Sequence, residues 1–133
     1  LMPSILFVCV ENSCRCQIAE AFARHYGQGR VEAHSAGSRP RGQVDATAMS
    51  VMQERGISLA SHASKGLEAL PQVQWDAVVS MGCGEACPQV PARRRVEWKI
   101  PDPARQPLIV YRQVRDMIDE AVQGLVNELQ EAR

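Results

Sequence analysis

Apolar positions along this chain switch between two spacings. Ile5-Leu6-Phe7-Val8 is an unbroken apolar run that predicts a buried strand leading to Cys9. From about Cys14 to Tyr26 the positions Ile18, Ala19, Phe22 and Tyr26 recur at helical spacing, and Gly27 and Gly29 end the pattern. Val31 to Ala36 reads as a short strand closed by Gly37, followed by turn residues Ser38 to Gly42. Asp45 is placed to cap a second helix through Arg55, with Ala48, Val51 and Met52 inward and Gly56 as its stop. Ser64 is read as the cap of a short helix containing Leu67 and Leu70, ended by Pro71. A third strand falls within Trp75 to Met81 and a short fourth within Val96 to Ile100. Leu108 to Arg133 forms the last helix, with Val110, Val114, Ile118, Val122, Leu125 and Leu129 on one stripe.

Strands that alternate with helices predict an α/β fold: a three-layer sandwich with a four-stranded parallel sheet and helices on both faces. One domain over residues 2–133 is expected, with its ligand beyond the C-terminal ends of the strands. That is where Cys9 lies.

Composition narrows the picture. The chain has 133 residues, 45% of them apolar, enough for one core. No apolar run approaches the roughly 20 residues of a membrane-spanning helix, and no leader segment is expected. Fifteen basic residues balance 15 acidic ones, which argues against nucleic acid as a partner. Arg93-Arg94-Arg95 is read as a solvated surface. A cytoplasmic monomer is expected. Five cysteines, an odd count, argue against a static disulfide framework and for redox or metal chemistry. With no C-x2-C pair and three scattered histidines, no metal and no cofactor are expected.

The chemistry concentrates in Cys9-Val10-Glu11-Asn12-Ser13-Cys14-Arg15. A cysteine ending a strand is ordinarily a packing residue, and an arginine on a first helical turn is ordinarily solvated. Together, between a strand and a helix, they mean more. The loop wraps a helix start, whose free N–H groups and dipole attract an anion. Arg15 adds a planar fork for two oxygens. The same positive field favours the Cys9 thiolate. The backbone from Val10 to Cys16 is the candidate anion-binding segment. Two further stretches carry candidates. Cys83 and Cys87 are four apart, so one helical turn would bring their Cα atoms to about 6 Å, within disulfide range. Gly82 and Gly84 make that segment deformable. Asp102 is held between Pro101 and Pro103.

The Cys9–Arg15 stretch resembles the C-x5-R loop of the low-molecular-weight protein tyrosine phosphatases and of the arsenate reductases that share their fold. Gln17-Ile18-Ala19-Glu20 is similar to the reductase branch, and the Cys83/Cys87 stretch resembles the redox pair of its thioredoxin-coupled members. The resemblance implies that Cys9 attacks arsenate, that Cys83 attacks Cys9 and releases arsenite, and that Cys87 moves the disulfide to the surface for thioredoxin. It implies that Asp102 is the general acid. It also implies a potassium position at Asn12, Glu20 and Ser35, where the family's aspartate is replaced here by Lys65. The ammonium is expected to take the cation's place, with Asn12 and Ser35 as structural support. Two departures stand out. Cys16 follows the arginine where the family has Ser or Thr, and Ala104-Arg105 stands where the phosphatases have a tyrosine pair. Two other readings stay open: an aryl phosphatase using Cys9, Arg15 and Asp102, and a non-catalytic thiol-based binder of oxyanion or arsenite, with Cys14 and Cys16 as soft ligands.

Overall fold

The first strand, β1 (Ser4–Cys9), is buried along its whole length, as its unbroken apolar run requires. The computed structural model, which describes residues 2–131, places it inside a parallel sheet. The strand order is β2-β1-β3-β4, with β2 (Glu32–Gly37), β3 (Trp75–Ser80) and β4 (Ala92–Glu97). The register pairs Cys9 with Gly37 and Val8 with Ser80. The chain leaves β1 toward β2 on one side, and β3 lies on the other. The loop after Cys9 therefore opens at the point where the strand order reverses, the preferred ligand position of such sheets.

Alternation along β1 divides the core. Ile5, Phe7 and Cys9 join one cluster with side chains of the helices α1 (Arg15–Gly27), α2 (Ala46–Gln53) and α3 (Leu108–Glu131). Leu6 and Val8 face the other way, against Ala36, Trp75, Val78 and Cys87. The helical cover of that second face is two single 3-10 turns, Leu67–Ala69 and Gly84–Ala86. Ile5, Leu6 and Phe7 have no exposed surface, and burial of each contributes about 1.5–3 kcal/mol. The α3 stripe is as its spacing predicts: Val114, Ile118, Val122 and Leu125 are buried, with Val110 and Leu129 packed against them. Residues 132 and 133 of the expected last helix lie outside the described residues.

Several boundaries differ from the sequence expectation. β4 spans Ala92–Glu97 rather than Val96–Ile100. It is an edge strand whose arginines face solvent, so no apolar alternation marks it. Ser64 caps nothing: the turn at Leu67–Ala69 starts after Gly66 without a side-chain cap. Instead Ser64 Oγ donates to the Glu11 carbonyl at 2.9 Å, bracing the loop after β1. α2 ends at Gln53, two residues before the expected end at Arg55. Its cap is Asp45, which accepts from the N–H groups of Thr47 and Ala48.

The C-terminal end of α2 is clasped to α3. Glu54 accepts from Arg112 Nη2 at 2.8 Å and from Arg115 Nη1 at 2.7 Å. Hydrogen bonds from Arg112, then Arg115, hold the Glu54 carboxyl down to about 2. A value below the ordinary one of about 4.3 means the clasp supports the fold above that pH and loses the support as pH falls toward about 2. Glu54 is exposed, so solvent screens the effect and keeps it small. Glu54→Gln is expected to lower the urea midpoint modestly near neutral pH and to leave it unchanged near pH 2, where wild type and variant should unfold alike.

Candidate active site

The loop from Cys9 to Arg15 is built around Asn12, a fully buried residue with φ of 50°. Asparagine tolerates this left-handed conformation better than most residues. Its N–H donates to Cys9 Sγ at 3.3 Å. Its side-chain amide donates to Cys16 Sγ and to Ser35 Oγ, each at 2.9 Å. Its Oδ1 accepts from Gln17 Nε2 and from the Lys65 N–H, each at 2.8 Å. Gly37 lets the loop lie against β2: a Cβ there would strike the Val10 carbonyl and come within 2.9 Å of the Asn12 nitrogen. Ser13 Oγ is tied to the Gln43 carbonyl at 2.9 Å.

Cys14 precedes α1 and makes no side-chain cap. Burial, then the charges of Asp45 and Asp102, push its thiol far up, with Arg15 opposing. Cys14 is therefore a neutral thiol at physiological pH, and it is the one free cysteine among the described residues. Arg15 Nη1 donates to the carbonyls of Met81 at 2.7 Å and Ile100 at 2.8 Å. One nitrogen thus ties the loop to the exits of β3 and of the segment leading to Asp102. The remaining guanidinium donors are available to an anion.

These groups surround a pocket of about 220 Å³ lined by residues 9–15 with Arg41, Asp45, Asp102 and Ala104. Asp102 is exposed at its rim, its Oδ1 accepting from the Ala104 N–H at 3.1 Å. Among the described residues lining this pocket, none carries an aromatic ring. Asp45 also fixes α3 to the pocket wall, since its Oδ2 accepts from Tyr111 Oη at 2.7 Å. Cys9, Val10, Glu11, Asn12, Ser13, Cys14, Arg15 and Asp102 are all brought together there. Cys16 lies outside the lining.

The thiols are arranged in two pairs. Cys9 and Cys16 are joined as a disulfide, with Cα atoms 6.2 Å apart. Cys83 and Cys87 are joined likewise, with Cα atoms 5.2 Å apart across the Gly84–Ala86 turn. β1 and β3 are neighbours, so Cys9 and Cys83 leave the same end of the sheet. Their side chains nevertheless belong to opposite faces. Cys87 is buried, its Sγ 3.9 Å from the Val8 carbonyl, while Cys83 is half-buried. The disulfide expected at the surface is half exposed, with Cys87 on its buried side. The partly accessible sulfur of the pair is Cys83.

Glu20, nearly fully buried, anchors the loop from behind. Its Oε1 accepts from Ser35 Oγ at 2.6 Å and lies 3.6 Å from Lys65 Nζ. Its Oε2 lies 3.0 Å from Arg24 Nη2 and 3.8 Å from His62 Nδ1. Burial keeps His62 from charging readily, and its Nδ1 is 2.8 Å from Gln17 Oε1. Asn12, Glu20, Ser35 and Lys65 do converge. The sequence marks Gln17 only as part of a motif and Gly37 only as a strand stop, without their roles at the loop, and does not mark Arg41 at all. Gln17 carried a signal in its place two residues after Arg15; Arg41 carried none.

A parallel α/β sheet with a cysteine at the floor of a pocket formed by a strand-to-helix loop and its arginine defines the class of this protein. It belongs to the low molecular weight phosphotyrosine protein phosphatase family, whose model matches residues 4–133. The chain is 34% identical to a glutaredoxin arsenate reductase of Synechocystis sp., over 96% of this chain and 99% of the relative. It is 36% identical to an arsenate reductase of Shouchella clausii, over 86% and 88%. A solved arsenate reductase in the phosphate binding state superposes with a TM-score of 0.86 at 34% identity, covering 96% and 99%. A thioredoxin-dependent arsenate reductase of Corynebacterium glutamicum gives 0.78 at 29% identity, covering 99% of this chain and 64% of that one.

With the Lys65 ammonium beside Glu20, a free cation gains little there. Potassium chloride is expected to shift the melting temperature no more than choline chloride at equal ionic strength. A potassium-specific rise would show that a cation competes with Lys65.

Proposed function

We propose that the protein reduces arsenate to arsenite, using Cys9 as nucleophile and the Cys83–Cys87 pair to carry the oxidation outward. The observation that carries this reading is the second disulfide: ester hydrolysis at Cys9 has no use for a bonded thiol pair packed against the strand that holds the nucleophile. The pocket without aromatic walls favours a small oxyanion over an aryl phosphate. The similar proteins named as arsenate reductases support it too.

Arsenate binds in the loop with its oxygens on the N–H groups of Val10 to Arg15 and on the Arg15 guanidinium. Cys9 Sγ attacks arsenic, and an oxygen leaves as water with a proton from Asp102. When a second thiolate attacks Cys9 Sγ, the electron pair of the sulfur–arsenic bond stays on arsenic, and arsenite departs. Cys83 takes the oxidation over from Cys9, and Cys87 from Cys83. The Cys83–Cys87 disulfide is then reduced by a dithiol protein of the thioredoxin kind, which reaches Cys83 first. Gly82 and Gly84, both at positive φ, give the segment its freedom to move. The names of two similar proteins, one glutaredoxin-linked and one thioredoxin-dependent, agree with a partner of this chemistry. Such a cycle belongs in a reducing compartment, the cytoplasm.

Arsenate-driven NADPH oxidation with thioredoxin and thioredoxin reductase, or with glutaredoxin and glutathione, tests the reading. Cys9→Ser is expected to abolish turnover. Cys83→Ser or Cys87→Ser should lower steady-state turnover by two orders of magnitude or more, and Asp102→Asn by about 10²-fold or more. Steady turnover in Cys83→Ser equal to wild type would remove the relay. A catalytic efficiency on p-nitrophenyl phosphate exceeding that on arsenate would make the protein a phosphatase.

A further inference from the structure

We infer that Cys16 is the first resolving thiol: it attacks Cys9 Sγ of the arsenate adduct from behind, expels arsenite, and closes a Cys9–Cys16 disulfide that Cys83 then opens. This inference rests on the reductase reading above and adds a fourth thiol to it.

Position carries the inference. Cys9 is the last residue of β1 and Cys16 the second of α1, and their Cα atoms are 6.2 Å apart, within disulfide range with the loop in place. Cys9 lines the anion pocket, whereas Cys16 has no exposed surface and lies outside the lining. Cys16 therefore approaches Cys9 from the side away from the bound oxyanion. Displacement at sulfur requires the incoming thiolate opposite the leaving group, and arsenic is the leaving group here. The Asn12 side chain donates to Cys16 Sγ at 2.9 Å, and the first turn of α1 supplies the positive end of a 13-residue helix. Both favour a thiolate there, against the opposing effect of burial.

The other thiols are less well placed. Cys14 is on the pocket side, and its environment holds it protonated. Cys83 and Cys87 pack against the opposite face of the sheet, so Cys83 reaches Cys9 only after the Gly84–Ala86 turn leaves its place. Cys16 needs no such movement. The balance is complete. Arsenic(V) bound to Cys9 gains two electrons and leaves as arsenite; the Cys9 and Cys16 sulfurs lose two and bond. Cys83 thiolate next attacks Cys9 Sγ, returning the electron pair to Cys16, and the relay continues as before. Cys16 itself is out of reach of any external reductant.

Single turnover tests this. Fully reduced protein is mixed with arsenate in the absence of external reductant. Released arsenite is measured, and disulfides are mapped by peptide mass spectrometry after acid quench and alkylation. In Cys83→Ser/Cys87→Ser the expected result is about one equivalent of arsenite with Cys9 and Cys16 peptides linked. Adding Cys16→Ser to that variant should abolish release, while phosphate still protects Cys9 from iodoacetamide, showing that the loop is folded. Release from wild type but none from Cys83→Ser/Cys87→Ser overturns the inference and leaves the reductase reading standing. Release from that double variant without the Cys9–Cys16 linkage also overturns it. No arsenite from wild type overturns the reductase reading itself.

Discussion

The site depends on one residue being held in an uncommon conformation. Asn12 turns the chain at positive φ so that its own N–H points at Cys9 while its side chain points at Cys16. A left-handed residue that is not glycine persists only where its surroundings over-determine it. Here they do: Gln17, Ser35 and the backbone of Lys65 all bond to the same amide. Glu20 and Lys65 then stand behind those partners as a largely buried charge pair. The loop backbone, Cys9 and Cys16 are therefore positioned together by one small polar cluster, rather than separately by packing.

Much of this is legible in the sequence. The strand–loop–helix around Cys9 announces itself by an apolar run, a C-x5-R spacing and a helical period, all local signals. Asp45 is readable as a cap because Asx capping needs only a few neighbouring residues. Its bond to Tyr111 is not, because the partner lies 66 positions away. β4 escapes its expected place because an edge strand has one unpaired side, and its Arg93-Arg94-Arg95 run carries no apolar imprint. Ser64 fits the pattern of a cap yet serves the loop after β1 instead, since a hydroxyl bonds to whichever backbone group tertiary packing presents. The meaning of Cys16 is hidden as well. Spacing alone does not tell whether a helix residue points at the strand end behind it or away from it.

The two thiol pairs divide the molecule along the sheet. β1 presents Cys9 to the helical face, and Val8, one residue earlier, packs with Cys87 on the other. Period-two alternation in a strand makes this unavoidable: cysteines packed on opposite faces of a sheet cannot also be adjacent. One pair is built into the loop and the start of α1, and the other sits at a turn that carries Gly82 and Gly84 at positive φ. That second pair has little core around it, a single 3-10 turn with Cys83 half-buried, consistent with low local stability.

The arginine run on β4 has a consequence away from the chemistry. β4 pairs with β3 alone, so its outer edge offers an open ladder of backbone donors and acceptors to any extended chain. With net charge zero, long-range repulsion cannot keep copies of this protein apart. Three consecutive cationic side chains, exposed along that edge and following Pro91, make it a poor template for sheet extension and so guard against fibre-like stacking.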